Sequence, residues 1–134
     1  MSTQTGPRTS GLTYDGSAPV VLPLGEVAHN TTAQNGVYQT VPFDCYVAEA
    51  IISPRTAGTS AAAAAQVGTS AAPTSLFTKN IQNVSTPITL TADSEFTSAA
   101  ARKLSKGDII NLNTAAASAV GQVAVSLVLI PRQA

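Results

Sequence analysis

Tryptophan is absent from this chain, histidine and cysteine occur once each, and charged residues make up only 10% of it. The single cysteine, Cys45, excludes an intrachain disulfide and leaves the redox compartment open. With His29 as the only histidine, a zinc site would have to be built from carboxylates. Glu26, Asp44, Glu49, Asp93, Glu95 and Asp108 are scattered rather than spaced as ligands. His29 stands in a polar stretch, His29-Asn30-Thr31-Thr32, with no motif around it and reads as a surface loop residue. Cys45, between Asp44 and Tyr46, reads as a buried structural thiol rather than a nucleophile. No Asp-x-Asp calcium loop occurs, and Gly58 and Gly68 stand alone instead of forming a phosphate loop. No metal, cofactor or active site is expected.

Excess charge of either sign is also missing. Seven basic residues balance seven acidic ones, so long-range attraction to nucleic acid or an anionic membrane has no support. Arg102, Lys103 and Lys106 form the only basic cluster, and without stacking aromatics beside it the cluster reads as a solvated loop. No apolar run reaches the roughly 18 residues needed to span a bilayer, and the polar N-terminus has no signal-peptide core. The expectation is a soluble chain with no nucleic-acid or membrane partner. Asn30-Thr31-Thr32 and Asn83-Val84-Ser85 match a glycosylation pattern that carries no weight without an export signal.

What is abundant is alanine, threonine and serine, broken up by eight prolines and nine glycines over 134 residues. That length suits one domain burying roughly two-thirds of its unfolded surface. The most informative stretch runs from Gly107 to Arg132 and reads as a hairpin of two long strands. Ile109 to Thr114 is the first, and Gln122 to Ile130 the second, closed by Pro131. Side chains alternate along a strand, so Val123, Val125, Leu127 and Leu129 form one core face. The opposite face begins with Ala124 and Ser126 and turns apolar at Val128 and Ile130, so something should cover that end.

Other segments read as shorter strands. Val20 to Ala28 carries Pro23 and Gly25, the marks of an edge position or a bulge. Asn35-Gly36 signals a sharp reversal before Val37 to Pro42. In Tyr46 to Ser53 the inward face is ambiguous, and a bulge would place Val47 and Ile52 inside together. Ala57 to Ala72 is pulled toward helix by its alanines and toward strand by its glycines and hydroxyl residues. It reads as a small-residue strand, Ala62 to Val67, with a turn at Gly68-Thr69. Ser75 to Phe77, Asn80 to Val84 and Ile88 to Ala92 read as strand pieces, and Asp93 to Lys106 has room for one or two helical turns ending at Gly107. Strands recurring every ten or so residues point to an all-β, antiparallel sandwich of jelly-roll type over residues 19–134. Residues 1–18 offer only Leu12 and Tyr14 as apolar handles, so they read as a flexible tail or an extended N-terminal arm.

Pro42-Phe43-Asp44-Cys45-Tyr46-Val47, Pro54, Leu104-Ser105-Lys106-Gly107-Asp108-Ile109-Ile110 and the last strand, Val123 to Arg132, resemble the small jelly-roll decoration proteins of tailed bacteriophage capsids. The resemblance covers roughly Val20 to Arg132. It implies a structural virion protein on the outer surface of an icosahedral head, often a homotrimer, that stabilises the shell by bridging neighbouring major capsid protein subunits. On that reading, Leu12 and Tyr14 of the arm and Val128 and Ile130 of the last strand are the candidate capsid or subunit contacts. Three other readings compete: a carbohydrate- or receptor-binding jelly-roll module, a shell or fibre-base protein, and an enzyme whose site is assembled across subunits. The sugar reading has to draw on Tyr14, Tyr38, Tyr46, Phe43, Phe77 and Phe96, some of which the core needs.

Overall fold

The computed structural model describes residues 18–28, 34–69, 71–115 and 122–132. Nine strands follow one another: Val20–Ala28 (β1), Gln34–Thr40 (β2), Cys45–Pro54 (β3), Ala64–Thr69 (β4), Ala72–Asn80 (β5), Ile88–Leu90 (β6), Lys103–Leu104 (β7), Ile109–Ala115 (β8) and Gln122–Pro131 (β9). One sheet is ordered β1-β9-β3-β6, with β7 also on β3, and the other is ordered β2-β8-β4-β5. Every strand pair is antiparallel. The two sheets face each other across one core, the antiparallel β-sandwich of jelly-roll type expected from the strand pattern.

β9 is the spine of the five-stranded sheet, lying between β1 and β3. Its odd residues Val123, Val125, Leu127 and Leu129 are all buried, as their alternation requires. Each contributes about 1.5 to 3 kcal/mol by leaving water. From the facing sheet, Ile110 and Leu112 of β8, Val67 of β4 and Phe77 of β5 close the core. The expected hairpin between the last two long strands does not form. β8 pairs with β2 and β4, whereas β9 pairs with β1 and β3. Both strands present an apolar face to the same core, and that demand is met as well by crossing from one sheet to the other as by pairing side by side.

Four irregularities interrupt the register, one of them between Val67 and Thr69 where β4 pairs with β5. In β1 the pairing shifts between Pro23 and Gly25, whose φ of +97° suits glycine, and this turns both Leu24 and Val27 inward. β1 is an edge strand, as Pro23 requires. In β3 the shift falls between Val47 and Glu49, so Cys45 and Val47 are buried before it and Ala50 and Ile52 after it. This is the bulge that the ambiguous alternation called for. In β2 the shift lies between Asn35 and Val37, so Asn35-Gly36 makes a bulge inside a strand rather than the expected reversal.

The alanine-rich segment is a strand, Ala64–Thr69, and the turn expected at Gly68-Thr69 does not form there, because both residues lie in β4 and Thr69 pairs with Ala72 of β5. Ala63, Ala64 and Ala65 are buried, and side chains this small let Gly58 pack directly against Ala63. The strand pieces around 75–84 merge into β5 followed by a single bridge between Gly58 and Gln82. The helical alternative over 93–106 reduces to two single 3₁₀ turns, Asp93–Glu95 and Ala100–Arg102, before β7.

Gly68 and Gly107 separate two roles of glycine. A Cβ on Gly68 would lie 2.2 Å from the Ala72 carbonyl oxygen and 2.5 Å from the Ser75 nitrogen, backbone that cannot turn aside. At Gly107 the space is open and only the φ of +92° disfavours a side chain. Gly68→Ala is therefore expected to cost about 3 kcal/mol and Gly107→Ala about 1 kcal/mol. Urea unfolding midpoints check this, and equal costs would show that the Ala72–Ser75 ledge yields.

Candidate functional site

Among the described residues, no three His, Cys, Asp or Glu side chains come together. His29, Leu12 and Tyr14 lie outside the described residues. What the sandwich offers for function is its two outward faces and the knots at its ends.

On the outer face of the five-stranded sheet, Val128 sits between Val21 of β1 and Glu49 of β3, and Ile130 stands opposite Tyr46. The structure thus brings the two predicted contact residues together on one face. Both are half-buried beneath their cross-strand neighbours, while Val21 beside them is 59% exposed. Pro23, Ser126, Ile51 and Thr89 form the next row. Val21 and Ile51 were not singled out from sequence, and Tyr46 was named there only as a motif residue and a candidate sugar-stacking aromatic, because the bulges in β1 and β3 decide which way they point.

One end of this face is held by Arg102, which is 4% exposed and no part of a solvated basic loop. Lys103 and Lys106 are exposed, as expected for their cluster. The bulge leaves Ala48 without a partner on β9. Arg102 Nη2 donates to the Ala48 carbonyl at 2.8 Å, and Nε donates to the Val47 carbonyl at 2.9 Å. Its guanidinium lies over the rings of Phe96 and Tyr46, at 4.3 and 4.8 Å, and Nη1 pairs with Asp93 Oδ1 at 2.6 Å. The first 3₁₀ turn is ordered by Glu95, whose side chain accepts from the Thr91 and Ala92 amides. Those two bonds hold its carboxyl below the usual carboxylate range. No sequence signal marks Arg102, since its partners are backbone carbonyls more than fifty residues away along the chain.

A second knot joins the motif residues. Arg132 donates from Nε to the Cys45 carbonyl and from Nη2 to the Leu104 carbonyl, both at 3.1 Å. Lys106 N donates to Asp44 Oδ1, Ser105 N to Asp108 Oδ2 and Val41 N to the Asp108 carbonyl. The Pro-Phe-Asp turn, the Gly-Asp turn and the terminal Pro-Arg therefore meet as a structural tie. Cys45 is buried there, and burial pushes its thiol up to about 11 despite the nearby Arg132 charge.

The outer face of the four-stranded sheet differs in kind. Its rows include Asn35-Asn113-Gln66-Thr78, Tyr38-Asn111-Gly68 and Thr40-Ile109, and these hold no Asp, Glu, Lys, Arg or His. Tyr38 is 57% exposed.

Two predictions follow from the knots. Arg102→Ala strands two buried carbonyls and is expected to cost about 3 kcal/mol or more. Arg55→Ala, which breaks an exposed pair with Glu26, should cost less than about 1 kcal/mol. Comparable losses in urea unfolding would refute the clamp. For Cys45, a thiol that titrates higher in the folded than the unfolded state contributes stability that is complete below 9.0 and lost as pH rises toward about 11. Cys45→Ala should lose that part of the alkaline decline, seen as a shallower fall of the unfolding midpoint across the window.

No family model and no curated protein matches the chain. Among solved structures, it is similar to a chain in the cyanophage Pam1 capsid asymmetric unit, with 19% identity, a TM-score of 0.56 and coverage of 96% of this chain and 95% of that one. It is also similar to a chain in the capsid of Ralstonia phage GP4, with 15% identity, a TM-score of 0.54 and coverage of 95% and 93%. At these identities the likeness is one of fold, and it extends over nearly the whole of each chain.

Proposed function

We propose that this chain is a structural virion protein that binds the outer surface of an icosahedral phage capsid and stabilises it by bridging neighbouring major capsid protein subunits. The observation that carries the reading is the fold likeness to chains from two phage capsids over nearly their full lengths. A binder of this kind needs no chemistry. It acts through linkage, since a protein that binds the assembled shell but not its separated parts shifts the balance toward assembly. Repetition around a homotrimer multiplies individually weak contacts.

The outer face of the five-stranded sheet suits a capsid or subunit contact. Val21, Val128 and Ile130 give it an apolar centre, and Glu26 and Arg55 place charges at its far end. Residues 1–18 serve as an arm, with Leu12 and Tyr14 laid on the capsid or a sister subunit, and residues 19–134 form the domain that carries it.

The test is to measure the mass of the purified protein by light scattering, mix it with undecorated heads, and count bound copies. Saturation at a fixed ratio with a raised head-disruption temperature is expected, and no affinity for heads refutes the function. Ile130→Lys should lower the oligomer's mass; an unaltered mass removes Ile130 from the subunit contact. Deleting residues 1–18 should reduce head occupancy, and unchanged occupancy sinks the role given to Leu12 and Tyr14.

A further inference from the structure

The outer face of the four-stranded sheet contains a polar side chain that the fold leaves unsatisfied. Asn111 belongs to the outward row Tyr38-Asn111-Gly68, yet the residue is only 6% exposed, and its Oδ1 has no hydrogen-bond partner. Two walls enclose it. On one side stands its cross-strand neighbour Tyr38. On the other, the backbone of Ala72, Pro73 and Ser75 occupies the position a Gly68 side chain would take, at 2.2 to 2.6 Å from an ideal Cβ. The walls are two strand spacings apart, about 10 Å. The ledge is backbone, whereas Tyr38 is exposed and can exchange rotamers rapidly.

A buried acceptor without a donor costs free energy in the unbound protein. Its presence beneath an exposed aromatic ring that can swing aside is accounted for by a ligand that supplies the donor. The neighbouring groups define that ligand. Gln66 is half-exposed, Thr78 and Thr40 are exposed, and no ionised group lies on these rows. The ligand must be uncharged, rich in hydroxyl donors, and flat enough on one face to stack on a tyrosine ring. A protein partner would call for an apolar contact core, and among the described residues this face exposes only Tyr38 and Ile109 as large apolar side chains. We infer that the outer face of the four-stranded sheet binds a neutral glycan, with a sugar ring on Tyr38 and a sugar hydroxyl donating to Asn111 Oδ1. This face is opposite the one assigned to the capsid, so a virion-bound copy would still present it to the surroundings.

Affinity electrophoresis of the full chain through gels containing dextran, mannan or galactomannan tests this, with heparin as the anionic control. Retardation by at least one neutral polysaccharide and none by heparin is expected. Tyr38→Ala should weaken the retardation by about tenfold, and Tyr38→Phe should preserve it. Asn111→Leu should also weaken binding while raising the urea midpoint, because the fold no longer buries an unpaired carboxamide oxygen. No retardation by any of the three polysaccharides, or equal retardation of wild type and Tyr38→Ala, overturns the inference. A lowered midpoint in Asn111→Leu overturns it too, since the amide would then serve the fold. Loss of head occupancy in Tyr38→Ala also overturns it, by making this face a protein contact.

Discussion

Strand β3 is paired by β7 only at Cys45 and Tyr46 and by β6 only from Ala50 to Ile52, and the fold holds together only if something else reaches the carbonyls left between them. In β3 that group is Arg102, whose two donors meet the carbonyls of Val47 and Ala48 while its charge is balanced by Asp93 and its flat faces by two aromatic rings. The bulge itself cannot be dispensed with. It lets Cys45 and Val47 face the core at one end of β3 while Ala50 and Ile52 do so at the other. Much of the outer surface inherits its geometry from this arrangement, because Tyr46 is positioned against Ile130 by the same register that Arg102 secures.

The sheet edges are guarded rather than offered. β1 has Pro23 and a bulge, β2 has a bulge of its own, β5 has Pro73 near its start and Lys79 near its end, and β6 is three residues long. Features of this kind discourage the addition of a further strand. Recognition is thereby directed to the two flat faces, and these differ in chemistry. One has Val21, Val128 and Ile130 at its centre, suited to a protein surface, whereas the other has carboxamides, hydroxyls and Tyr38. Such a division gives the proposed capsid contact and the proposed glycan contact separate faces.

The motif residues have a structural meaning. Asp44, Cys45, Leu104, Ser105, Lys106, Asp108 and Arg132 join in one hydrogen-bonded tie at the end of the sandwich. Their arrangement holds two turns and the last strand in register. It therefore reports on the fold, while binding surfaces vary on top of it.

Period-two alternation made the inward face of β9 legible from the residues alone, because a strand buried on one side must place every second side chain there. Pro23 and Gly25 announced an irregular edge, and the conflict between Val47 and Ile52 announced the bulge in β3, since one regular strand cannot bury both. Composition was enough to discourage any expectation of metal or charge-driven chemistry. Which strands pair was not legible: Ile109 to Ala115 and Gln122 to Pro131 are consecutive and alike in pattern, yet they belong to opposite sheets. Arg102 looked like a solvated charge and Asn111 like an ordinary polar strand residue, and only the folded chain buries them. The physical reason is that alternation and turn chemistry act over a few neighbouring residues. Sheet pairing, the capping of a bulge and the burial of a single amide depend on groups that tens of residues of chain separate until the core has closed.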